Sequence, residues 1–313
     1  MQLDIVVAFF LFGMAATLVG SKIHFSRGLS QGLTLFLLIA IGLKGGVALS
    51  EHASVRLVPQ ALLVLLLGLA LPFIAYPLLR RIGQWNRTDA AATAAHYGSV
   101  SVGTFAVAIA LLDSRGVDYE AYFPLFVVLL EVPAIAIGIY LATRGDKKKA
   151  RLDWHELLLN QGCVLLFGGL LIGWMAGTEG TAKVMPLFSA TFHGALALFL
   201  LNMGCKAAEQ FPQVMRQGAF LTSFAIVMPL VGATIGGSLA TLMDFSIGGI
   251  ALLATLGASA SYIAAPAALG AALPNANMSL PLTASLAITF PFNVLVGIPV
   301  YLAAATYISQ SVS

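Results

Sequence analysis

Charge is what this sequence has least of. Only 9% of its 313 residues are Asp, Glu, Lys or Arg, against about 25% in an ordinary soluble domain. Hydrophobic residues make up 59%, and the mean hydropathy is +0.93. That balance excludes a water-soluble globular fold and leaves a polytopic membrane protein. Cysteine is nearly absent too. Cys163 and Cys205 have no metal-ligand spacing and read as small packing residues inside helices rather than as a disulfide. No Gly-x4-Gly-Lys-Ser/Thr loop is present, so an ATP-driven pump within this chain is not expected. The first residues, Met1, Gln2 and Asp4, offer no basic stretch of the kind that opens a signal peptide, so the first hydrophobic segment is expected to be retained.

What the chain has instead is long apolar runs. A helix needs about 20 mostly apolar residues to cross the hydrocarbon, and ten candidates are readable: residues 3–21, 29–49, 58–80, 88–112, 120–143, 155–176, 186–208, 216–241, 246–272 and 280–305. These fall into two similar sets of five. Leu35-Phe36-Leu37-Leu38 running into Gly42-Leu43-Lys44-Gly45-Gly46 is echoed by Leu198-Phe199-Leu200-Leu201 running into Gly204-Cys205-Lys206-Ala207-Ala208. Pro72 has a counterpart in Pro229, Ser99-x-Ser101 in Ser259-x-Ser261, and Pro133 with Gly138 in Pro291 with Gly297. A unit with an odd number of crossings enters the bilayer from opposite sides in its two copies, so the repeats are expected to be inverted, as in many secondary transporters. The first repeat is read as residues 1–145, a basic linker as 146–154, and the second repeat as 155–313.

Basic residues set the orientation. Lys44, Arg56, Arg115 and Lys183 fall on one side, and the other twelve of the sixteen, including Arg144, Lys147, Lys148, Lys149 and Arg151, on the opposite side. Both termini are therefore expected outside a plasma membrane. The central basic loop reads as a solvated anchor, with anionic lipid or an acidic partner as the alternative.

Chemistry is concentrated in the fourth and ninth segments. Residues 96–105 place Gly98, Gly103, Ser99, Ser101 and Thr104 in mid-span, and residues 257–266 place Gly257, Ser259, Ser261, Tyr262 and Pro266 there. Gly and Pro interrupt the helical ladder, and freed backbone groups at membrane depth need protein, water or an ion. Both helices are expected to unwind near the midplane and cross, exposing N–H groups that attract an anion and carbonyls that attract a cation. Packing by small residues is the competing reading for either helix alone. Glu131, two positions before Pro133, is the one acid well inside a span, a costly placement that tends to mark an ion path. Its counterparts in the tenth segment are Thr289 and Asn293, neutral oxygens that with a carboxylate suit Na⁺. A structural role for Glu131 beside Pro133 stays open. Lys44 and Lys206, repeat mates near the ends of the second and seventh segments, either snorkel to the interface or draw an anion to an entrance. His96 and His193 read as packing residues. Trp85, Trp154 and Trp174 read as interfacial anchors.

The runs Ile41-Gly42-Leu43-Lys44-Gly45-Gly46, Gly98-Ser99-Val100-Ser101-Val102-Gly103-Thr104, Glu131-Val132-Pro133-Ala134 and Gly257-Ala258-Ser259-Ala260-Ser261 through Pro266 resemble the SbtA family of sodium-dependent bicarbonate transporters. Tyr119-Glu120-Ala121 and Leu273-Pro274-Asn275-Ala276-Asn277 add to the resemblance, which spans essentially the whole chain. It implies ten helices in two inverted repeats with the fourth and ninth broken and crossing, a homotrimer, and, as in cyanobacterial members, gating by a PII-like cytoplasmic regulator. It also implies Ser101, Gly103, Thr104, Ser259 and Ser261 near the substrate, and Glu131 beside a sodium site. The chain departs from the cyanobacterial members at Tyr262, where they carry an aspartate, and in its short central loop.

The expectation is a secondary transporter and not an enzyme: Na⁺-coupled uptake of bicarbonate or a similar small monoanion across a bacterial plasma membrane, with no cofactor beyond the coupling ion and no nucleic-acid partner. Substrate contacts are expected from Ser99, Ser101, Gly103, Thr104, Ser259, Ser261 and Tyr262, and sodium contacts from Glu131, Ser101, Ser259, Thr289 and Asn293. A sodium–proton or anion exchanger using Glu131 is the alternative within transport. A channel, or an intramembrane enzyme using Glu131 or His96, stands further off, the enzyme because no second membrane carboxylate or His/Asp pair is present to share acid–base work.

Overall fold

The computed structural model describes residues 4–52, 54–144 and 159–312. The central basic stretch from residue 145 to 158, with Lys147, Lys148, Lys149, Arg151 and Trp154, lies outside the described residues, as do residues 1–3. Among the described residues every regular element is helical. The order is α1 (Ile5–Leu18), α2 (Arg27–His52), α3 (Leu57–Pro77, continued by a π-helical turn Leu78–Ile82), α4 (Arg87–His96), α5 (Val102–Arg115), α6 (Pro124–Glu131) and α7 (Pro133–Thr143). It continues with α8 (Gln161–Thr181), α9 (Met185–Ala190), α10 (Phe192–Glu209), α11 (Phe211–Leu242), α12 (Ile247–Ala258) and α13 (Ala264–Ala272). The last stretch is α14 (Ser279–Leu282), α15 (Phe290–Phe292) between π-helical turns Thr283–Thr289 and Asn293–Gly297, and α16 (Ile298–Val312). Among the described residues six stretches are long and apolar enough to cross a membrane: Arg27–His52, Leu57–Ile82, Pro124–Thr143, Gln161–Thr181, Phe211–Leu242 and Ser279–Gln310. This is the architecture of a polytopic membrane protein.

The expected spans differ from these helices where Pro and Gly act locally. The segment expected over residues 120–143 is two helices meeting at Val132, because Pro133 has no N–H to extend the first. Ile135 bonds back only to Val132, so the carbonyl of Glu131 is released. Pro291 stands between two π-helical turns, the kind of bulge that accommodates a missing donor. The eighth segment starts cleanly only after Gly218, whose φ of 81° kinks α11. Gly177, at φ 60°, likewise ends the apolar part of α8.

Among the described residues two helix pairs pack most extensively, α2 with α8 and α1 with α10. In the first, Gly42 and Gly46 face Gly169 and Gly173, and a Cβ at Gly46 would overlap the Leu170 carbonyl. In the second, Gly13 lies against the Leu201 carbonyl and Gly204 against that of Phe10. Without a hydrophobic drive between helices in lipid, such backbone approach is what dispersion and close packing require. The remaining helices assemble beside these pairs: α11 on α12, α3 on α4 and α6, α4 on α7, and α5 on α12. Leu62, Leu66, Phe73, Phe167, Met175 and Val227 are exposed, as expected of surfaces solvated by lipid tails.

Candidate functional site: two crossing helix breaks

The chain leaves helical geometry after His96 and resumes it at Val102, and does so again between Ala258 and Ala264. In the first break, Gly98 packs against the Pro72 ring and Ala134, so closely that a Cβ there would fall 2.5 Å from Pro72 Cδ. Ser99 donates its hydroxyl to the Glu131 carbonyl at 3.0 Å, the same carbonyl that the break at Pro133 releases. Ser101, extended at φ −104°, ψ 111°, caps α5 by accepting from the Thr104 N–H at 3.1 Å. In the second break, Ser261 accepts from the Ala265 N–H at 3.1 Å and so satisfies one of the open donors at the start of α13.

The two breaks meet. The Ser101 N–H donates to Ser259 Oγ at 3.1 Å, and Ser259 passes its own proton to the Leu256 carbonyl at 2.9 Å. The Ser261 N–H donates to the His96 carbonyl at 2.8 Å, while His96 Nδ1 lies 2.6 Å from the Ser261 carbonyl. Each unwound strand thus takes up backbone groups that the other leaves open, which apolar surroundings demand. His96, fully buried, acts as a tie between the breaks.

Both segments are also fastened at their far ends by carboxylates. Asp89, in the first turn of α4, accepts the Asn277 N–H at 2.7 Å from the loop after α13. Glu120, in the loop after α5, accepts the Ser246 N–H at 2.8 Å just before α12. These bonds account for two motifs that the sequence singled out without a role, the stretches around Glu120 and Asn277. That Asp89 takes part could have been suspected from Asn86, three residues earlier, whose side chain caps α4.

A small cavity of about 30 Å³ sits at the crossing, lined by Ser101, Glu131, Ser261 and Tyr262 together with Thr34 and Gly162. Glu131 is only 3% exposed. Its carboxylate lies beside the Cys163 thiol, and its Oε2 has no hydrogen-bond partner among the described residues. Thr104 Oγ1 is buried without one as well. The Tyr262 hydroxyl points at Gly103 beside the Phe199 ring, where any Cβ would collide with it. Thr34 and Gly162, which line this cavity, carry no sequence signal beyond their types. A wider cavity of about 310 Å³ adjoins it, sharing Thr34, Leu38, Gly162, Tyr262 and Ile263 and reaching Ser30, Gln161 and Lys206.

Other residues expected at the site lie apart from these cavities. Ser259 is occupied in the crossing bonds, and Ser99 in its bond to Glu131. Thr289 donates to the Ala225 carbonyl at 2.6 Å and pairs with the Tyr97 hydroxyl at 2.8 Å. Asn293 donates to the Ala258 carbonyl at 2.9 Å and accepts from Tyr301 at 2.9 Å. Both thus brace α11 and α12 and line neither cavity. Lys44 lies over the Phe192 ring, 4.7 Å from its centroid. Among the described residues no group of three or more His, Cys, Asp or Glu could hold a metal ion, so a cation here would meet one carboxylate and hydroxyl or carbonyl oxygens, the donor set of a hard ion.

The profile of the Na⁺-dependent bicarbonate transporter superfamily matches residues 5–306. The chain belongs to that superfamily. The match runs from the first residue of α1 to within α16 and so takes in both breaks, Glu131 and the two cavities. No curated protein matches the chain.

Proposed function

We propose that the protein carries bicarbonate, or a monoanion of similar size, together with Na⁺ into the cell across a bacterial plasma membrane. The observation that carries this reading is the crossing of two interrupted helices beside a buried carboxylate with an open oxygen. The first turns of α5 and α13 present amide N–H groups and positive dipole ends to an anion. Glu131 Oε2, with the hydroxyl oxygens of Ser101, Ser261 and Thr34, offers a cation the negative charge and lone pairs it needs. Without Na⁺, the Glu131 charge repels an anion from the same small cavity; with Na⁺ that repulsion becomes attraction. Opposite unit charges about 4 Å apart attract by about 4 kcal/mol at an effective dielectric of about 20, so a net coupling of about 1–3 kcal/mol is reasonable. Neither ion then binds well alone.

The transport reading rests on ten spans in two inverted repeats, each broken pair of helices counted as one span. Packing supports it: α2 on α8 and α10 on α1 are the same pairing with the repeats exchanged, as are α4 on α7 and α12 on α16. The Asp89–Asn277 and Glu120–Ser246 bonds have the same relation. Helices α3–α7 and α11–α16 would move as one body against α1, α2, α8 and α10. A homotrimer and a PII-like regulator are part of the proposal by family likeness, and termini outside by the placing of the basic residues. Uptake of labelled bicarbonate by reconstituted protein, driven by a Na⁺ gradient and by K⁺ in its place, tests it; equal uptake in both would reject symport.

The open Glu131 oxygen also favours a second reading, in which that carboxylate takes up a proton and the protein exchanges Na⁺ for H⁺. Transport that persists without Na⁺ and collapses with the pH gradient would select it.

A further inference from the structure

Lys44 and Lys206 occupy matching places in the two halves of the sequence, and both are half-buried, but the structure gives them different neighbours. Lys44 lies over the Phe192 ring, and Asp113 acts on it electrostatically, as Glu209 acts on Lys206. Lys206 is half-buried at the edge of the 310 Å³ cavity, with Ser30, Gln31, Thr34 and Gln161 in the same wall. Ser30 precedes Lys44 by fourteen residues, and Phe192 precedes Lys206 by fourteen, so these two positions also correspond. The ring that lies against one lysine is thus replaced, beside the other, by a small hydroxyl. Thr34 and Leu196 differ in the same sense, each ten residues before its lysine.

We propose that the cavity beside Lys206 is a second anion site, in which the transported monoanion rests between the crossing and the cytoplasm. The inference rests on the symport reading above. Its wall supplies one ammonium, two carboxamides and the hydroxyls of Ser30 and Thr34, with Tyr262 turning its own hydroxyl toward Gly103, and no carboxylate lines it. The Asn202 amide donates to Ser30 Oγ at 2.9 Å, which leaves the Ser30 proton to donate to a guest. Thr34 spends its proton on the Ser30 carbonyl at 3.0 Å, so its oxygen offers lone pairs and suits the cation side, where it lines the smaller cavity. Glu209 is the acid that acts on Lys206 electrostatically, and it is not in the wall. The volume admits a bicarbonate with several waters, since a water takes about 30 Å³ of liquid. Glu131 lines the smaller cavity that adjoins it. Once Na⁺ has left, its bare charge repels the anion toward Lys206, so this site takes the anion without Na⁺, unlike the one at the crossing.

That difference makes the site measurable. ¹³C-bicarbonate binding to the purified full-length protein is followed by saturation-transfer NMR, in K⁺ alone and in Na⁺. In K⁺ the wild type is expected to show one weak site, weakened about tenfold or more in Lys206→Gln and retained in Lys206→Arg. Ser30→Phe, which places a ring beside Lys206 as Phe192 stands beside Lys44, is expected to remove it too. In Na⁺ a tighter second site persists in all three variants. No binding in K⁺, or equal binding in K⁺ by wild type and both Lys206→Gln and Ser30→Phe, would overturn the proposal while leaving symport intact. Absence of any Na⁺-dependent site would instead count against the symport reading.

Discussion

Ser101 gives its backbone N–H to the Ser259 hydroxyl at 3.1 Å, and this bond joins two segments 158 residues apart in sequence. Ser101 also caps α5, so a single residue starts one half-helix and holds the break opposite it. In Ser259→Ala the buried Ser101 N–H loses its acceptor, at a cost of about 1–3 kcal/mol. Bicarbonate affinity is expected to fall about tenfold while folded protein is still obtained. Uptake kinetics with a thermal melt check this; wild-type KM would mean the bond does not shape the site.

Glu131→Gln keeps the shape of the side chain and removes its charge. Na⁺ dependence of uptake is expected to vanish, because the cation loses its one charged ligand in the cavity, whereas Glu131→Asp keeps a weaker dependence. An unchanged Na⁺ activation curve in the Gln variant would remove the carboxylate from the cation site.

Gly103 has room only for hydrogen, since the Tyr262 hydroxyl and the Phe199 ring crowd its Cα. Gly103→Ala is expected to lower maximal uptake at least tenfold with the melting temperature changed by only a few degrees. Adding Tyr262→Phe to it removes the colliding oxygen and restores part of the rate. Failure of the double variant to recover, with both proteins folded, would show that Tyr262 is not what Gly103 accommodates.

The clamps at Asp89 and Glu120 hold one backbone N–H each from the opposite broken segment. Asp89→Ala and Glu120→Ala each leave a part-buried donor open and are expected to destabilise the protein by about 1–3 kcal/mol. If the two ends are fastened independently, the losses add in the double variant, as distant sites do. Thermal unfolding in detergent reads this directly.

The sequence made the interruptions legible because Gly98, Ser99, Ser101, Gly257, Ser259 and Ser261 contradict an apolar span, and such conflicts arise where backbone must bond across helices. The membrane class followed from composition for the same solvation reason. Which hydroxyls face a cavity was not legible. Thr289 and Asn293 matched Glu131 by repeat position, yet their side chains are taken up by the Ala225 and Ala258 carbonyls, a choice made by neighbours distant in sequence. Asp89 carries no signal beyond its place in the first turn after the Asn86 cap, and its role as a cross-segment clamp comes from the fold. Thr34 and Gly162 came to the site only through the packing of α2 against α8.

The central claim is that a cation and a monoanion share one site at the crossing, and linkage tests it most directly. Bicarbonate affinity is measured with and without saturating Na⁺, and Na⁺ affinity with and without saturating bicarbonate, on the same purified protein by calorimetry. The account predicts that each ion tightens the other by one common factor, about 5- to 150-fold. Bicarbonate affinity that is the same in Na⁺ and in K⁺ would contradict it.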